Sequence, residues 1–296
     1  MTRFVLALMW SLHFLPARAL AAVGSGLGTL LYLCARKRRA IALTNLQLCF
    51  PRLDRDARAT LARRHFQALT RSLLERGLLW WASRDRLERL IRLEGVEHWR
   101  TARGQPVIFF APHFVGMEVG GTRLLFEDAM ITTIYSRQKN ALLDAVFRRG
   151  RSRFTQAPIH ARQDGVRPIV RALRKGVALY YLPDMDLGPR DALFAPFFGV
   201  RAATTTALGR IAAISGAVVL PCITRQLPGG GGYEVRIYPK WEDFPSADPA
   251  ADASRMNAFI EERVREMPEQ YFWVHKRFKT RPQGEPSPYE RHVPAG

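Results

Sequence analysis

His113 and Glu118 are the residues whose types and spacing first suggest chemistry. They follow the apolar run Val107 to Ala111, which predicts a strand buried on both faces, and Pro112 ends that run because proline cannot donate to a sheet ladder. Positions five apart on one continuous helix diverge by about 140°. We therefore expect His113 in a strand-to-helix loop and Glu118 in the first helical turn. There Glu118 would orient His113 as a general base; the alternative is a histidine that only caps the helix.

A second polar group follows another apolar run that ends in proline, at Pro183. It contains two carboxylates, a glycine and an arginine, at Asp184, Asp186, Gly188 and Arg190. Two carboxylates at this spacing could hold a divalent cation on a nucleotide diphosphate, as in metal-dependent glycosyltransferases. Alternatively, Arg190 holds a substrate phosphate while the aspartates organise the loop. The metal interpretation leaves His113 without a role, so we rank it second and expect neither a metal nor a cofactor.

A third polar group, which contains Arg137 and Gln138, follows the strand predicted at Met130–Tyr135. Cationic side chains at the end of a strand suit phosphate or carboxylate recognition, although a solvated loop is the alternative. Open α/β sheets place their sites at the carboxyl ends of the strands. We therefore expect the polar groups to project from one edge of the sheet.

The elements that must position these residues follow from the hydrophobic pattern. The spacing of apolar residues over 40–103 predicts helices, with Asp54 as an N-cap. From Gly104 onward, predicted strands alternate with helices. The strands are Val107–Ala111, Met130–Tyr135, Val177–Leu182, Val218–Ile223 and Tyr233–Tyr238, and the helices are 116–126, 141–150, 166–174 and 204–214. This alternation predicts an α/β fold with a mixed, mostly parallel sheet flanked by helices.

The N-terminus predicts a membrane anchor. Residues 4–35 are mostly apolar, are interrupted near Pro16, and precede the basic cluster 36–39. Such a pattern is typical of a retained segment that spans the bilayer or lies in its interface; the alternative is a cleaved signal peptide. Gly24 and Gly28 have the spacing of a helix-packing face. We divide the chain into an anchor (1–39), a helical segment (40–103) packed on the catalytic domain, and an α/β domain (104–296) with a basic tail.

The net charge of +19 favours anionic partners, such as an anionic membrane, phosphorylated lipids, an acidic carrier protein or nucleic acid. The tail 269–282 interleaves basic and aromatic residues, which suits a membrane surface or a polyanion. No nucleic-acid-binding module accompanies it, so nucleic acid is not an expected partner.

Four stretches together resemble the late acyltransferases of lipid A biosynthesis, the lauroyl/myristoyl transferases of the lysophospholipid acyltransferase superfamily. They are H-F-x-x-x-E at 113–118, P-D-x-D-x-G-P-R at 183–190, A-A-T-T-T at 202–206 and P-E-Q-Y-x-W-x-H-x-R-F-K-T-R-P at 268–282. The resemblance extends over nearly the whole chain, and the second and fourth stretches are its most specific parts. One departure is Ser136, which stands where many relatives carry arginine directly after the tyrosine, so that arginine's role passes to Arg137.

The resemblance implies an enzyme on the cytoplasmic face of the inner membrane. It would transfer an acyl chain from a thioester, on acyl carrier protein or coenzyme A, to the hydroxyl of a 3-hydroxyacyl chain on a lipid A precursor. His113 and Glu118 would be catalytic. The substrate-binding residues would be Arg137, Gln138, Asp184, Asp186, Gly188 and Arg190. The motif G-x-S-x-G is absent from the sequence, which favours direct transfer over a serine nucleophile.

Three alternatives remain at this point. The first is an acyltransferase acting on another lipid, of the lysophospholipid or ornithine-lipid type. The second is a metal-dependent membrane glycosyltransferase that uses Asp184 and Asp186. The third is not an enzyme but a basic protein that binds membranes or nucleic acid.

Overall fold

The computed structural model describes residues 2–290; Met1 and residues 291–296, the last of the predicted α/β domain, lie outside them. Four helices form the N-terminal part: α1 (Thr2–Leu12), α2 (Ala17–Cys34), α3 (Arg36–Cys49) and α4 (Arg55–Trp81). Pro16 lies between α1 and α2, and α2 is long and apolar enough to cross a membrane by length and composition. Asp54 caps α4 as expected, because its side chain accepts a hydrogen bond from the Ala57 N–H.

Helix α2 packs against α4 through the two glycines that the sequence predicted as a packing face. A Cβ atom built on Gly28 would lie 2.5 Å from Cα of Gln67, and one on Gly24 would lie 2.6 Å from Cα of Arg71. Contacts this short require glycine on both of these helical turns. The packing surface therefore serves a partner helix within the same chain.

The rest of the chain alternates strands and helices. Its helices are α5 (Arg84–Leu90), α6 (Val96–Arg100), α7 (Met117–Glu127), α8 (Ala141–Arg151), α9 (Arg167–Arg174), α10 (Ala207–Ser215) and α11 (Pro249–Glu266). Its strands are β1 (Ile91–Glu94), β2 (Val107–Phe110), β3 (Ile131–Tyr135), β4 (His160–Ala161), β5 (Ala178–Tyr181), β6 (Ala192–Phe197), β7 (Val200–Thr205), β8 (Val218–Gln226) and β9 (Tyr233–Ile237).

Seven strands form one mixed sheet in the order β1-β9-β8-β2-β5-β3-β4. Strands β8, β2, β5, β3 and β4 are parallel to one another, while β9 pairs antiparallel to β8 and carries β1 parallel to itself. Strands β6 and β7 form a separate antiparallel hairpin. The predicted α/β class with a mostly parallel mixed sheet is confirmed. The prediction that residues 40–103 are wholly helical is wrong at Ile91–Glu94, which form an edge strand.

The core lies on both faces of the sheet. Successive residues of β2 point to opposite faces, so Phe110 packs in one hydrophobic cluster and Phe109 in the other, and both are fully buried. Leu46 of α3 and Phe66 of α4 belong to the same cluster as Phe110. The helical segment and the sheet therefore share one core.

The C-terminal tail lies inside the protein. Trp273, Arg277 and Phe278 are at most 2% exposed. The Arg277 guanidinium donates to the carbonyl of Ala203. The expectation that this interleaved stretch forms a membrane-binding or polyanion-binding surface is therefore wrong for these residues. Their aromatic rings pack in the core, and the buried Arg277 is hydrogen-bonded within the protein.

Candidate active site

Strands β2 and β5 bring the first two polar groups together. They are neighbouring parallel strands in which Phe110 is the register partner of Tyr181. His113 and Asp184 each lie three residues beyond that pair, after Pro112 and Pro183. Both side chains therefore emerge at the same carboxyl edge of the sheet, as expected for an open α/β fold.

His113 and Asp184 form a tightly bound pair. Nδ1 of His113 lies 2.6 Å from Oδ1 of Asp184. The backbone N–H of His113 also donates to both carboxylate oxygens, at 3.1 and 3.0 Å. The Asp184 side chain is 1% exposed, whereas that of His113 is 15% exposed and lies in the wall of a cavity. With Nδ1 bonded to a carboxylate, Nε2 is the ring nitrogen left to act as a base.

The environment keeps Asp184 ionised. Burial works to raise the pKa of Asp184. The electrostatic attraction of the His113 ring and the hydrogen bonds that its Nδ1 and backbone N–H donate outweigh burial and hold the pKa below its ordinary value. A charged aspartate bonded to Nδ1 fixes the tautomer of His113 and stabilises the imidazolium that forms when Nε2 takes a proton.

The structure differs from the sequence prediction at Glu118. This residue lies in the first turn of α7 as expected, but its carboxylate accepts hydrogen bonds from the Arg151 guanidinium, with Nε at 3.0 Å from Oε2. Arg76 lies 3.8 Å from the same carboxylate. The hydrogen bond that His113 was expected to donate to Glu118 is instead donated to Asp184, because the adjacent strand supplies a carboxylate in register.

A mostly buried cluster of charged side chains lies beside the cavity and consists of Glu118, Arg76 and Arg151. Burial works to raise the pKa of Glu118, but Arg151 and Arg76 lower it to about 2, so the carboxylate is ionised at every physiological pH. Sequence reasoning missed both arginines, since they come from α4 and from the end of α8 and no local motif connects them to the glutamate.

A cavity of about 790 Å³ opens beside His113. Apolar side chains contribute most of its wall, from α7, β3, α9, β5 and α10, including Leu125, Ile134, Ile169, Leu182 and Ile211. Glu118, Arg151, Arg162 and Arg210 also line it. The phenylalanines at 194–198 are not in this wall. The cavity can hold a long apolar chain with a polar group next to His113.

The third polar group lies at the cavity's outer part. Gln138 lines the cavity, and its backbone N–H donates to Asp144. Arg137 is 59% exposed and pairs with Asp164 at 3.3 Å. Arg137 is therefore near the strand edge, as predicted, but its guanidinium faces solvent.

The loop after β5 uses its remaining polar residues internally. Asp186 is buried and accepts hydrogen bonds from the Thr280 N–H and hydroxyl and from the Gly188 N–H. Gly188 has φ of 104°, a conformation that favours glycine. Arg190 is exposed at the end of the loop. These contacts agree with the loop-organising interpretation of Asp186.

The same contacts weigh against a cation site at this loop. Asp184 is held by His113 and Tyr271, and Asp186 by Thr280, so neither carboxylate is free to turn toward a nucleotide-bound cation. Among residues 2–290, no three or more His, Cys, Asp or Glu side chains are grouped in a way that could hold a metal ion.

Comparison with known proteins agrees with this geometry. A family model described as bacterial lipid A biosynthesis acyltransferase matches residues 1–280. The chain is 33% identical over 287 residues to the lipid A biosynthesis lauroyltransferase of Escherichia coli (strain K12), covering 96% of this chain and 93% of that protein. It is 35% identical over 292 residues to the lipid A biosynthesis palmitoleoyltransferase of the same organism, covering 98% and 94%.

Among solved structures, the similarity to the 1-acyl-sn-glycerophosphate acyltransferase of Thermotoga maritima is slight, with a TM-score of 0.39 and 14% identity over 78% of this chain and 98% of that one.

A histidine–aspartate pair at the edge of a mostly apolar cavity, together with the family match over nearly the whole chain, identifies an enzyme of the acyltransferase class. The chain belongs to the bacterial lipid A biosynthesis acyltransferase family.

Proposed function

We propose that the protein transfers a fatty acyl chain from acyl carrier protein to the hydroxyl of a 3-hydroxyacyl chain on a lipid A precursor, in lipopolysaccharide biosynthesis. The observation that carries this proposal is the His113–Asp184 pair at the edge of the apolar cavity. The names of the relatives, which are lipid A biosynthesis acyltransferases, support the acceptor.

In the proposed mechanism, Nε2 of His113 removes the proton of the acceptor hydroxyl as that oxygen attacks the thioester carbonyl. Asp184 holds Nδ1 and stabilises the imidazolium. The tetrahedral intermediate collapses when the carbon–sulfur bond breaks, and the departing thiolate takes the proton from His113. The products are an ester and a free thiol, so no covalent acyl-enzyme is needed.

Glu118 belongs to the proposed catalytic set through its charge and through Arg151. The ionised carboxylate acts on His113 through space and holds the Arg151 guanidinium in the cavity wall. The intermediate carries an oxyanion that needs a nearby donor, and Arg151 is our candidate for that role.

Cationic and polar groups at the strand edge are proposed to bind the acceptor's phosphates and the donor. These residues are Arg137, Gln138 and Arg190, with Asp184, Asp186 and Gly188 shaping the loop that presents Arg190. Guanidinium groups suit phosphate because they offer several donors in a fixed plane.

We place the enzyme on the cytoplasmic face of the inner membrane. The apolar α2 supports a membrane anchor, and large apolar side chains of α1, α2 and the turn between them are exposed, including Phe4, Trp10, Phe14, Leu30 and Leu33. The basic cluster that follows α2 suits an anionic membrane surface, although Arg39 also donates to the carbonyl of Tyr32 at the end of α2.

The experiment that tests this proposal compares donors and identifies the product. Purified protein in detergent receives a tetra-acylated lipid A precursor with either lauroyl-acyl carrier protein or lauroyl-coenzyme A. Mass spectrometry should show one added acyl group, with the carrier protein giving at least a tenfold higher kcat/KM. Equal rates with coenzyme A would overturn the donor assignment, and an unmodified precursor with both donors would overturn the acceptor assignment.

A further inference from the structure

The C-terminal strap, defined as residues 270–280, connects the two loops that carry the catalytic pair. On the histidine side, the Phe272 N–H donates to the carbonyl of His113 at 3.0 Å, and the Gln270 carbonyl accepts from Val115 at 2.9 Å. Phe114 and Tyr271 form an isolated antiparallel bridge between these contacts. The strap therefore fixes the backbone on both sides of His113.

The strap holds the aspartate side by side-chain contacts. The Tyr271 hydroxyl donates to Oδ2 of Asp184 at 3.1 Å. Nε2 of His275 accepts from the Asp186 N–H at 3.0 Å, and Thr280 donates to the Asp186 carboxylate. Tyr271 is 3% exposed and is not in the cavity wall, so it touches Asp184 without facing the substrate.

We propose that the strap is the positioning element of the catalytic pair and that the Tyr271 phenol, by holding Oδ2 of Asp184, sets how strongly Oδ1 attracts the proton on His113. This inference rests on the proposed general-base role of His113. Tyr271 is a positioning residue, because it acts on the acyl transfer only through Asp184.

The direction of the effect follows from the hydrogen bond. A phenol that donates to Oδ2 draws negative charge away from Oδ1. Without it, the carboxylate attracts a proton more strongly and stabilises the imidazolium more, so the pKa of His113 rises. The acid limb of kcat/KM should then move to higher pH by about half a unit, a fraction of the roughly one to two units that a direct hydrogen bond to a charged group is worth, because the effect reaches His113 only through Asp184.

Other ionisable groups face this pair from the packed elements. They are Glu118 from α7, Cys49 from α3, Arg277 and His275 from the tail, and Asp186 from the loop after β5. Burial and the nearby Arg277 lower the pKa of His275 to about 4, and Arg277 stays charged above neutral pH because of its guanidinium chemistry. Both therefore keep one charge state over most of the range from pH 5 to 8 in which the acid limb is measured.

The test compares Tyr271→Phe with Tyr289→Phe. Tyr289 is a half-buried tyrosine of the same tail whose hydroxyl donates to Asn45 and accepts from the Phe278 N–H, with no contact to Asp184. Both variants lose one phenol hydrogen bond and should lose similar thermal stability. Only Tyr271→Phe should move the acid limb upward, lowering kcat at pH 6 several-fold with KM unchanged.

A direct titration separates this inference from the proposed function. The His113 ring resonances of histidine-labelled full-length protein in detergent, assigned with His113→Gln, should titrate about half a unit higher in Tyr271→Phe without any substrate. Replacing Tyr271 by 3-fluorotyrosine, which keeps the ring and makes the phenol a stronger donor, should move the titration lower. This replacement also serves if Tyr271→Phe does not fold.

The outcomes divide cleanly. Opposite shifts in the two Tyr271 variants, with none in Tyr289→Phe, support the positioning role even if acyl transfer from every donor fails, which would instead refute the proposed function. An unmoved His113 titration in both Tyr271 variants, or an equal shift in Tyr289→Phe, overturns it.

Discussion

At the residue scale, the proposed chemistry depends on one carboxylate bonded to one imidazole. Asp184 accepts three hydrogen bonds from His113, two at the backbone N–H and one at Nδ1. We expect Asp184→Asn to lower kcat by at least 100-fold with little change in KM, because a neutral amide neither fixes the required tautomer nor stabilises the imidazolium. Steady-state acyl transfer at pH 7.5 measures this.

The matched control for that variant is Asp191→Asn. Asp191 is an exposed carboxylate that lines the same cavity and pairs with Arg210 at 2.9 Å. Its replacement should change kcat less than threefold. Equal losses in the two variants would show that general negative charge near the cavity matters, rather than the bond to Nδ1.

Glu118 gives a second prediction at this scale. In Glu118→Gln the guanidinium groups of Arg76 and Arg151 lose their shared negative charge, so we expect the free energy of unfolding to fall by about 3 kcal/mol. Glu88→Gln, which breaks the exposed pair with Arg84, should change it by less than about 0.5 kcal/mol. Denaturant unfolding in detergent measures both, and comparable losses would contradict the assignment.

The sequence predicts His113 as the base with Glu118 as its partner, whereas the structure pairs His113 with Asp184. Both strands end in the same way, with a proline two residues after the last strand residue and then His113 or Asp184. That shared spacing was a usable signal, but its meaning depends on β2 and β5 being neighbours, which only the sheet order reveals. Glu118 was predicted as the partner because it is the nearest carboxylate in the sequence, but in the structure it binds Arg151 of α8.

At the scale of the elements, the close contact of α2 and α4 yields a third prediction. Gly28→Ala places a Cβ 2.5 Å from Gln67, so the helices must separate, and we expect a loss of about 1–3 kcal/mol in the free energy of unfolding. Limited proteolysis and thermal unfolding in detergent measure the change.

Gly26→Ala is the control on the same helix. Gly26 has nothing within 4 Å of its Cβ position. Alanine there should be neutral or slightly stabilising, since it has the higher helix propensity. Destabilisation by Gly26→Ala equal to that of Gly28→Ala would mean that helix formation, and not packing on α4, responds to these substitutions.

The elements that sequence analysis predicted are those with a strong local pattern. The five predicted strands all occur, because each is rich in β-branched, aromatic or other apolar residues, in a continuous run or, at Tyr233–Tyr238, in alternation with charged residues. Strands β1 and β4 were not predicted, because Ile91–Glu94 alternates apolar and charged residues over only four positions and β4 has only two residues; they pair with β9 and β3. The threonines at 204–206 were predicted to lead into a helix; they do precede α10, but Thr204 and Thr205 first complete the hairpin strand β7.

At the scale of the whole molecule, two buried histidines predict how stability depends on pH. Burial lowers the pKa of His65 to about 4, and burial and Arg277 do the same for His275. The unfolded chain has histidine pKa values of about 6.5 and so binds more protons between pH 6.5 and 4. Stability should therefore be complete above about pH 6.5 and decline as the pH falls toward 4.

The thermal unfolding midpoint measured from pH 8 to pH 4 checks this dependence. His65→Asn, which keeps a donor for the Glu269 carbonyl that Nδ1 of His65 contacts, should have a flatter profile over this range. His98→Asn is the control, since His98 is about one-third exposed. A His65→Asn profile parallel to that of wild type would contradict the assignment.

The overall charge was the least informative whole-molecule property for function. It correctly indicated anionic partners as candidates, but much of the basic tail is folded into the core, where Arg277 is 2% exposed. Burial of a charged residue depends on the partners that the fold supplies, and for Arg277 these are Ala203, Thr204 and Asn257, from distant parts of the chain.

The most direct test of the central claim is the rate of the chemical step in wild type and His113→Gln. A tetra-acylated lipid A precursor and labelled lauroyl-acyl carrier protein are mixed with excess enzyme, and transfer in a single turnover is followed with and without chelator. The account predicts a loss of at least 100-fold in His113→Gln, unchanged binding of the precursor, and no effect of chelator. A His113→Gln rate equal to that of wild type, or a wild-type rate abolished by chelator, would contradict it.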